Sequence, residues 1–103
     1  MKRLVFPLLL LSFFASMQAQ NFTISGYVED QSSGERLLNA NVYNPQTLQG
    51  VITNNYGFYS LTISSDSLQL TYSYIGYQSQ IIQIDLKKDT LINVLLVPVI
   101  NID

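Results

Sequence analysis

The chain has no cysteine, no histidine and no tryptophan, and only three prolines among its 103 residues. Without thiols it forms no disulfide and holds no thiolate metal site, and without imidazole it lacks the base of a Ser-His-Asp or Cys-His nucleophile. Most hydrolase mechanisms are excluded on that ground. Positive charge is also scarce, with five Lys and Arg against seven Asp and Glu, and two of the five sit at Lys2 and Arg3. The remaining cations, Arg36, Lys87 and Lys88, are too few for a nucleic-acid footprint or for a patch that holds an anionic membrane surface. An apolar run of membrane-spanning length is missing too. The segment Leu4 to Phe14 is interrupted by Pro7 and Ser12 and is shorter than the roughly 18 to 20 residues a spanning helix requires.

What that N-terminal segment does have is the layout of a secretory signal peptide. Lys2 and Arg3 give a positive start, the apolar run follows, and Ala15, Ser16, Gln18, Ala19 and Gln20 close it with small and polar residues. Cleavage after Ala19 is expected, with Met17 large for the usual small-x-small pattern. No Cys follows the run, so a lipid anchor on a thiol is excluded. Removing residues 1–19 from a chain of 103 leaves 84, with Arg36, Lys87 and Lys88 against seven acids and a formal charge of −4. That is one small domain. Domains of this size bury only about 60 to 65% of their unfolded surface, so this one relies on its apolar core or on belonging to something larger.

From Asn21 onward apolar and polar residues alternate at period two, and no window sustains a helical spacing. Strands are expected at Phe22 to Val28, Leu38 to Tyr43, Gly50 to Thr53, Phe58 to Ile63, Leu68 to Tyr74, Gln78 to Ile84 and Thr90 to Val97. Between them lie turn formers: Asp30-Gln31-Ser32-Ser33-Gly34, Asn44-Pro45, Asn54-Asn55-Tyr56-Gly57, Ser64-Ser65-Asp66-Ser67 and the charged stretch Asp85 to Asp89. Gly26, inside the first strand, marks a bulge or a close backbone approach. Asn54 to Gly57 is a hairpin signal that requires Gly57 at positive φ. The run Leu68 to Tyr74 is the cleanest alternation and is expected to be a central strand with one buried face. Seven short strands with turns roughly every 8 to 12 residues specify an all-β fold, a seven-stranded antiparallel sandwich of immunoglobulin-like or transthyretin-like type, preceded by a signal-peptide helix. The domain is expected over residues 20–98, with 99–103 as a tail or the start of a linker.

Particular residues carry a family likeness. Ile24-Ser25-Gly26-Tyr27-Val28 opens the domain, and Gly34-Glu35 precedes Ala40-Asn41-Val42. Gly50 to Thr53 leads into Asn54, Gly57-Phe58-Tyr59 and Leu61. Leu70-Thr71-Tyr72-Ser73-Tyr74-Ile75-Gly76-Tyr77 and Asn93-Val94-Leu95-Leu96 complete the pattern. Over about Phe22 to Pro98 the chain resembles the carboxypeptidase-regulatory-like domain, a transthyretin-like sandwich. Two departures are mild: Arg36-Leu37-Leu38-Asn39 where the family often has Pro, and Asn54 where it often has Asp. Such domains occur at the N-terminus of TonB-dependent outer-membrane receptors, after the signal peptide and before plug and barrel. The resemblance therefore implies an exported, periplasmic or outer-membrane location on the periplasmic side. It implies a protein partner, or the downstream plug and barrel segment, as the surface that the domain meets. It implies no direct membrane insertion by the domain itself.

Chemistry has little to work with. Glu29, Asp30, Glu35, Asp66, Asp85 and Asp89 fall in or beside turns, where solvated carboxylates are the ordinary case. They lack the D-x-[DN]-x-[DN]-G spacing of a calcium loop, and a small sandwich has little room for a paired-carboxylate cleft. Gly50 and Gly57 are followed by no Lys and form no phosphate loop. Tyr56, Tyr59, Tyr72, Tyr74 and Tyr77 raise the alternative of a free-standing secreted binding domain with a sugar-stacking face, although Tyr72 and Tyr74 share the parity of Leu68 and Leu70 and so belong to a core face. Asn21-Phe22-Thr23 matches a glycosylation acceptor, which matters only in a host that modifies it. The expectation is a domain that is not an enzyme, without catalytic, cofactor-binding or metal-binding residues, and with no cofactor.

Overall fold

The computed structural model describes residues 21–64 and 67–99, with the backbone alone at Ser67. The signal peptide expected over residues 1–19, its helix and its cleavage site lie outside the described residues, as do Asp66 and Ile100 to Asp103. In chain order the strands are β1 (Phe22–Asp30), β2 (Asn41–Tyr43), β3 (Gly50–Ile52), β4 (Phe58–Ile63), β5 (Ser67–Ser73), β6 (Gln80–Asp85), β7 (Thr90–Leu91) and β8 (Val94–Leu96). Two sheets result. One places β1 between β4 and the pair β7 and β8, and the other has the order β3-β2-β5-β6.

Period-two alternation sends one face of each strand between the sheets. β1 turns Ile24, Gly26 and Val28 inward, and β4 does the same with Tyr59, Leu61 and Ile63. Facing them are Leu68, Leu70 and Tyr72 of β5, with Val42, Ile84, Val94 and Leu96 around them. β5 has a neighbour on each side, and Leu70 is fully buried, as the alternation of Leu68 to Tyr74 requires.

The pairing differs from an all-antiparallel sandwich at the last strand. β7 and β8 are two short pieces, and both run parallel to β1. The break between them has a chemical cause. In a regular parallel ladder the Ile92 carbonyl would accept from the Tyr27 amide, but here the Asn93 Oδ1 accepts it instead at 2.9 Å. The Ile92 carbonyl turns inward over Gly26, where a Cβ would lie 1.9 Å from its oxygen. It accepts the Tyr59 hydroxyl at 2.8 Å. A phenol has one proton to give, so the Tyr72 hydroxyl, 2.7 Å away, donates to the Tyr59 oxygen. Gly26 is the close backbone approach that its position in the first strand suggested.

Two further expectations are corrected. The second strand, expected from Leu38, begins only at Asn41, and it is Leu37 that is buried while Leu38 is 43% exposed. Asn39 adopts a φ of 65°, which breaks the alternation and delays β2 until Asn41; the Asn39 amide donates to Thr53 O at 3.0 Å. Thr53 is itself buried, its hydroxyl donating to Leu37 O and accepting from the Ala40 amide at 2.9 Å. Asn54 to Gly57 forms a tight turn with Gly57 at φ 74°, as expected. The strands it joins are not ladder partners, however, because β3 pairs with β2 while β4 pairs with β1. The turn is a corner between the sheets.

Candidate functional site

The two long edges of the sandwich are built differently. On one side β3 and β4 end the two sheets, and the chain crosses between them through the Asn54 to Gly57 corner. The Gln49 side chain donates to Thr62 O at 3.2 Å and ties the two strands together. On the other side β6 ends one sheet and β7 and β8 end the other. Among the described residues that edge is bridged at its two ends. At one end the β6 to β7 connection inserts Leu86, which is 1% exposed, into the core. At the other, Gln78 N donates to Val97 O at 2.8 Å and Val99 N donates to Gly76 O at 2.9 Å.

Between these bridges lies an open seam of about 490 Å³. Ile82, Val94 and Val97 give it an aliphatic floor, and Gln31, Gln78, Gln80 and Asn93 give it an amide rim. No residue lining it is ionisable. Amides donate and accept with equal ease, so such a rim suits main-chain groups rather than a charged ligand. A second, shallower depression lies over β2 and β3, lined by Asn41, Tyr43, Leu48, Gly50, Val51 and Ile52.

Glu29, Asp30 and Asp89 sit elsewhere and are engaged in structure. The Asp30 Oδ1 accepts the Ser32 amide at 2.7 Å, the Ser32 hydroxyl at 2.6 Å and the Ser33 amide at 3.2 Å. Its Oδ2 accepts the Tyr77 hydroxyl at 2.5 Å. The Ser32 and Tyr77 hydroxyls together hold its pKa down to about 2, and the same bond pushes the Tyr77 phenol up to about 12. Glu29 pairs with the Arg36 Nε at 2.6 Å, and the guanidinium lies 3.7 Å over the Tyr27 ring. The Asp89 Oδ1 accepts the Thr23 amide at 2.8 Å. Glu35 and Asp85 are exposed. No trio of carboxylates among the described residues is placed to share a metal ion.

The tyrosines do not converge on one face. Tyr59 and Tyr72 lie in the core, where burial raises both phenol pKa values above the ordinary range. Tyr74 and Tyr77 pack on each other at 5.6 Å between ring centroids, with Tyr77 tied to Asp30. Tyr56 stands alone on the Asn54 to Gly57 corner, 73% exposed. A sugar platform made of these five residues is therefore not assembled. The amides of the seam were not singled out by sequence reasoning, because a glutamine in a strand carries no chemical signature of its own. The available signal was that Gln80 to Ile84 contains neither charge nor proline.

Residues 24–101 match the CarboxypepD_reg-like domain family. The chain belongs to this family. It is also 35% identical over 88 residues to a TonB-dependent receptor of Formosa agariphila. That likeness covers 82% of this chain and 8% of the receptor, so the chain corresponds to a small fraction of its relative's length. Among solved structures, a type II cohesin–X-dockerin complex from Acetivibrio cellulolyticus superposes with a TM-score of 0.62 at 14% identity, over 73% of this chain and 56% of that one. A DUF3823 family protein from Parabacteroides merdae gives a TM-score of 0.57 at 16% identity, over 79% and 48%. At such identities these two structures speak to the fold, which is the all-β sandwich expected of a CarboxypepD_reg-like domain.

Proposed function

We propose that this CarboxypepD_reg-like domain is a non-catalytic interaction module on the periplasmic side of a TonB-dependent outer-membrane receptor. The observation that carries the reading is the 35% identity to a receptor over most of the domain. The structure supports it in two ways. Asp30, Glu29 and Asp89 are engaged in hydrogen bonds or an ion pair that hold turns and strands, which leaves them unsuited to acid or base work. The open seam, by contrast, offers main-chain edges and amides to a partner polypeptide.

An in-frame deletion of the domain from its receptor tests this reading. Receptor abundance in the outer membrane and uptake of its nutrient are measured together. Normal abundance with impaired uptake is the expected result. Uptake indistinguishable from the intact receptor would defeat the proposal, as would turnover of a glycan or ester substrate by the purified domain that survives repurification.

A further inference from the structure

Every sheet edge presents unpaired main-chain groups that invite another strand, and folded proteins protect such edges with short strands, breaks, charges or proline. Three of the four edges here carry such a device. β3 has three residues and is tied to its neighbour through Gln49. β4 lies beside β3 at the closed corner. The edge made by β7 and β8 is broken at Ile92 and Asn93 and followed by Pro98. β6 carries none. It is six residues long, unbroken and free of Lys, Arg and Pro, and its single charge, Asp85, is at its end. Among the described residues its only strand partner is β5.

We propose that β6 accepts an extended, uncharged segment of a partner protein as an added strand, with alternate aliphatic side chains seated in the seam over Ile82, Val94 and Val97. The inference rests on the interaction-module reading and names the partner's chemistry. Strand geometry supplies the alternation, because residues two apart on an added strand face the same side. Those facing inward meet a lining without an ionisable group. A charged side chain there would lose water and gain no counter-ion, so the seam selects neutral aliphatic residues. Ile82 is half-buried and Val97 is 39% exposed, so the floor keeps apolar surface that such residues would cover. Gln80 and Gln78 stand at the rim, where their amides can meet the incoming backbone in either hydrogen-bonding sense.

The test uses residues 20–103, which contain the whole two-sheet core, and two capped peptides. One alternates valine with threonine, and the other has lysine at every valine position. Amide chemical shifts locate the contact, and fluorescence anisotropy gives the affinity. The valine peptide is expected to shift the amides of Gln80 to Asp85 and the lysine peptide to leave them in place. Gln80→Lys, at an exposed position, should weaken binding by about tenfold or more without lowering the melting temperature, and Ser60→Lys on the far sheet should leave it unchanged. The proposal is overturned if the valine peptide leaves β6 unshifted, if the shifts gather on β3, or if Gln80→Lys binds as well as the parent. Sedimentation showing that β6 is already covered by a second copy would also overturn it. Impaired uptake on deleting the domain, combined with a silent β6, would remove this inference and leave the module reading standing.

Discussion

At the scale of single residues, the decisive contacts are those of the inward carbonyl of Ile92. Gly26 must lack a side chain because that carbonyl occupies the space of its Cβ, 1.9 Å away. Gly26→Ala should therefore destabilise the domain by about 2 to 3 kcal/mol, since the obstacle is backbone and cannot rotate aside; urea unfolding measures it. The two buried tyrosines should respond unequally to loss of their hydroxyls. Tyr59→Phe leaves the Ile92 carbonyl without a donor and the Tyr72 hydroxyl without an acceptor, and should cost about 1 to 3 kcal/mol. Tyr72→Phe leaves the Tyr59 to Ile92 bond intact and should cost only about 0.5 to 1.5 kcal/mol. Equal losses in thermal unfolding would contradict the donor order. Of this arrangement only Gly26 was legible in the sequence, because a glycine inside an alternating strand is an anomaly. Tyr59 and Asn93 have ordinary identities at their positions, and nothing local records that a carbonyl 33 residues downstream points at the Tyr59 hydroxyl.

At the scale of elements, alternation located the strands and misjudged some of their partners. The buried faces of β1, β4 and β5 follow directly from period two, because residues facing a core must share parity. Leu70, fully buried between two neighbouring strands, should cost about 2 to 4 kcal/mol when changed to Ala. A loss of less than about 0.5 kcal/mol in chemical denaturation, the range of ordinary surface changes, would remove β5 from the core. Pairing is a different kind of information. Asn54 to Gly57 has the composition of a hairpin turn, and local composition cannot tell a hairpin from a corner that carries the chain to the other sheet. The parallel placement of β7 and β8 beside β1 depends on contacts more than sixty residues apart in the chain. Asn39 defeated the alternation in β2 because asparagine tolerates a positive φ that the pattern of Leu38, Ala40 and Val42 does not reveal.

At the scale of the whole molecule, the two sheets share one apolar core and, with no disulfide available, are further joined at the end of the open edge by hydrogen-bonded clasps, one of which is built from two titratable groups. Asp30 ends β1 in one sheet, Tyr77 lies on the connection from β5 to β6 in the other, and Tyr77 forms a bridge with Pro98 beside the Val97 and Val99 contacts. The clasp is strongest when the carboxylate is ionised and the phenol is protonated. Asp30 has a folded pKa of about 2, below its ordinary value of 3.8, so the folded state favours the ionised carboxylate. Its contribution is complete above about pH 4 and is lost as pH falls through the interval from about 4 to about 2. Tyr77 has a folded pKa of about 12, above its ordinary 10, so the folded state favours the protonated phenol. That contribution is complete below about pH 10 and is lost as pH rises toward about 12. Melting temperature measured across pH should therefore decline on both limbs. Asp30→Asn should lower stability at neutral pH and flatten the acid limb, because the titrating group is gone. Tyr77→Phe should remove the alkaline contribution and, by taking one hydrogen bond from Asp30, also shrink the acid one. An acid limb unchanged in Asp30→Asn would mean that another carboxylate governs it, and the end clasp would then hold the sheets together without sensing pH.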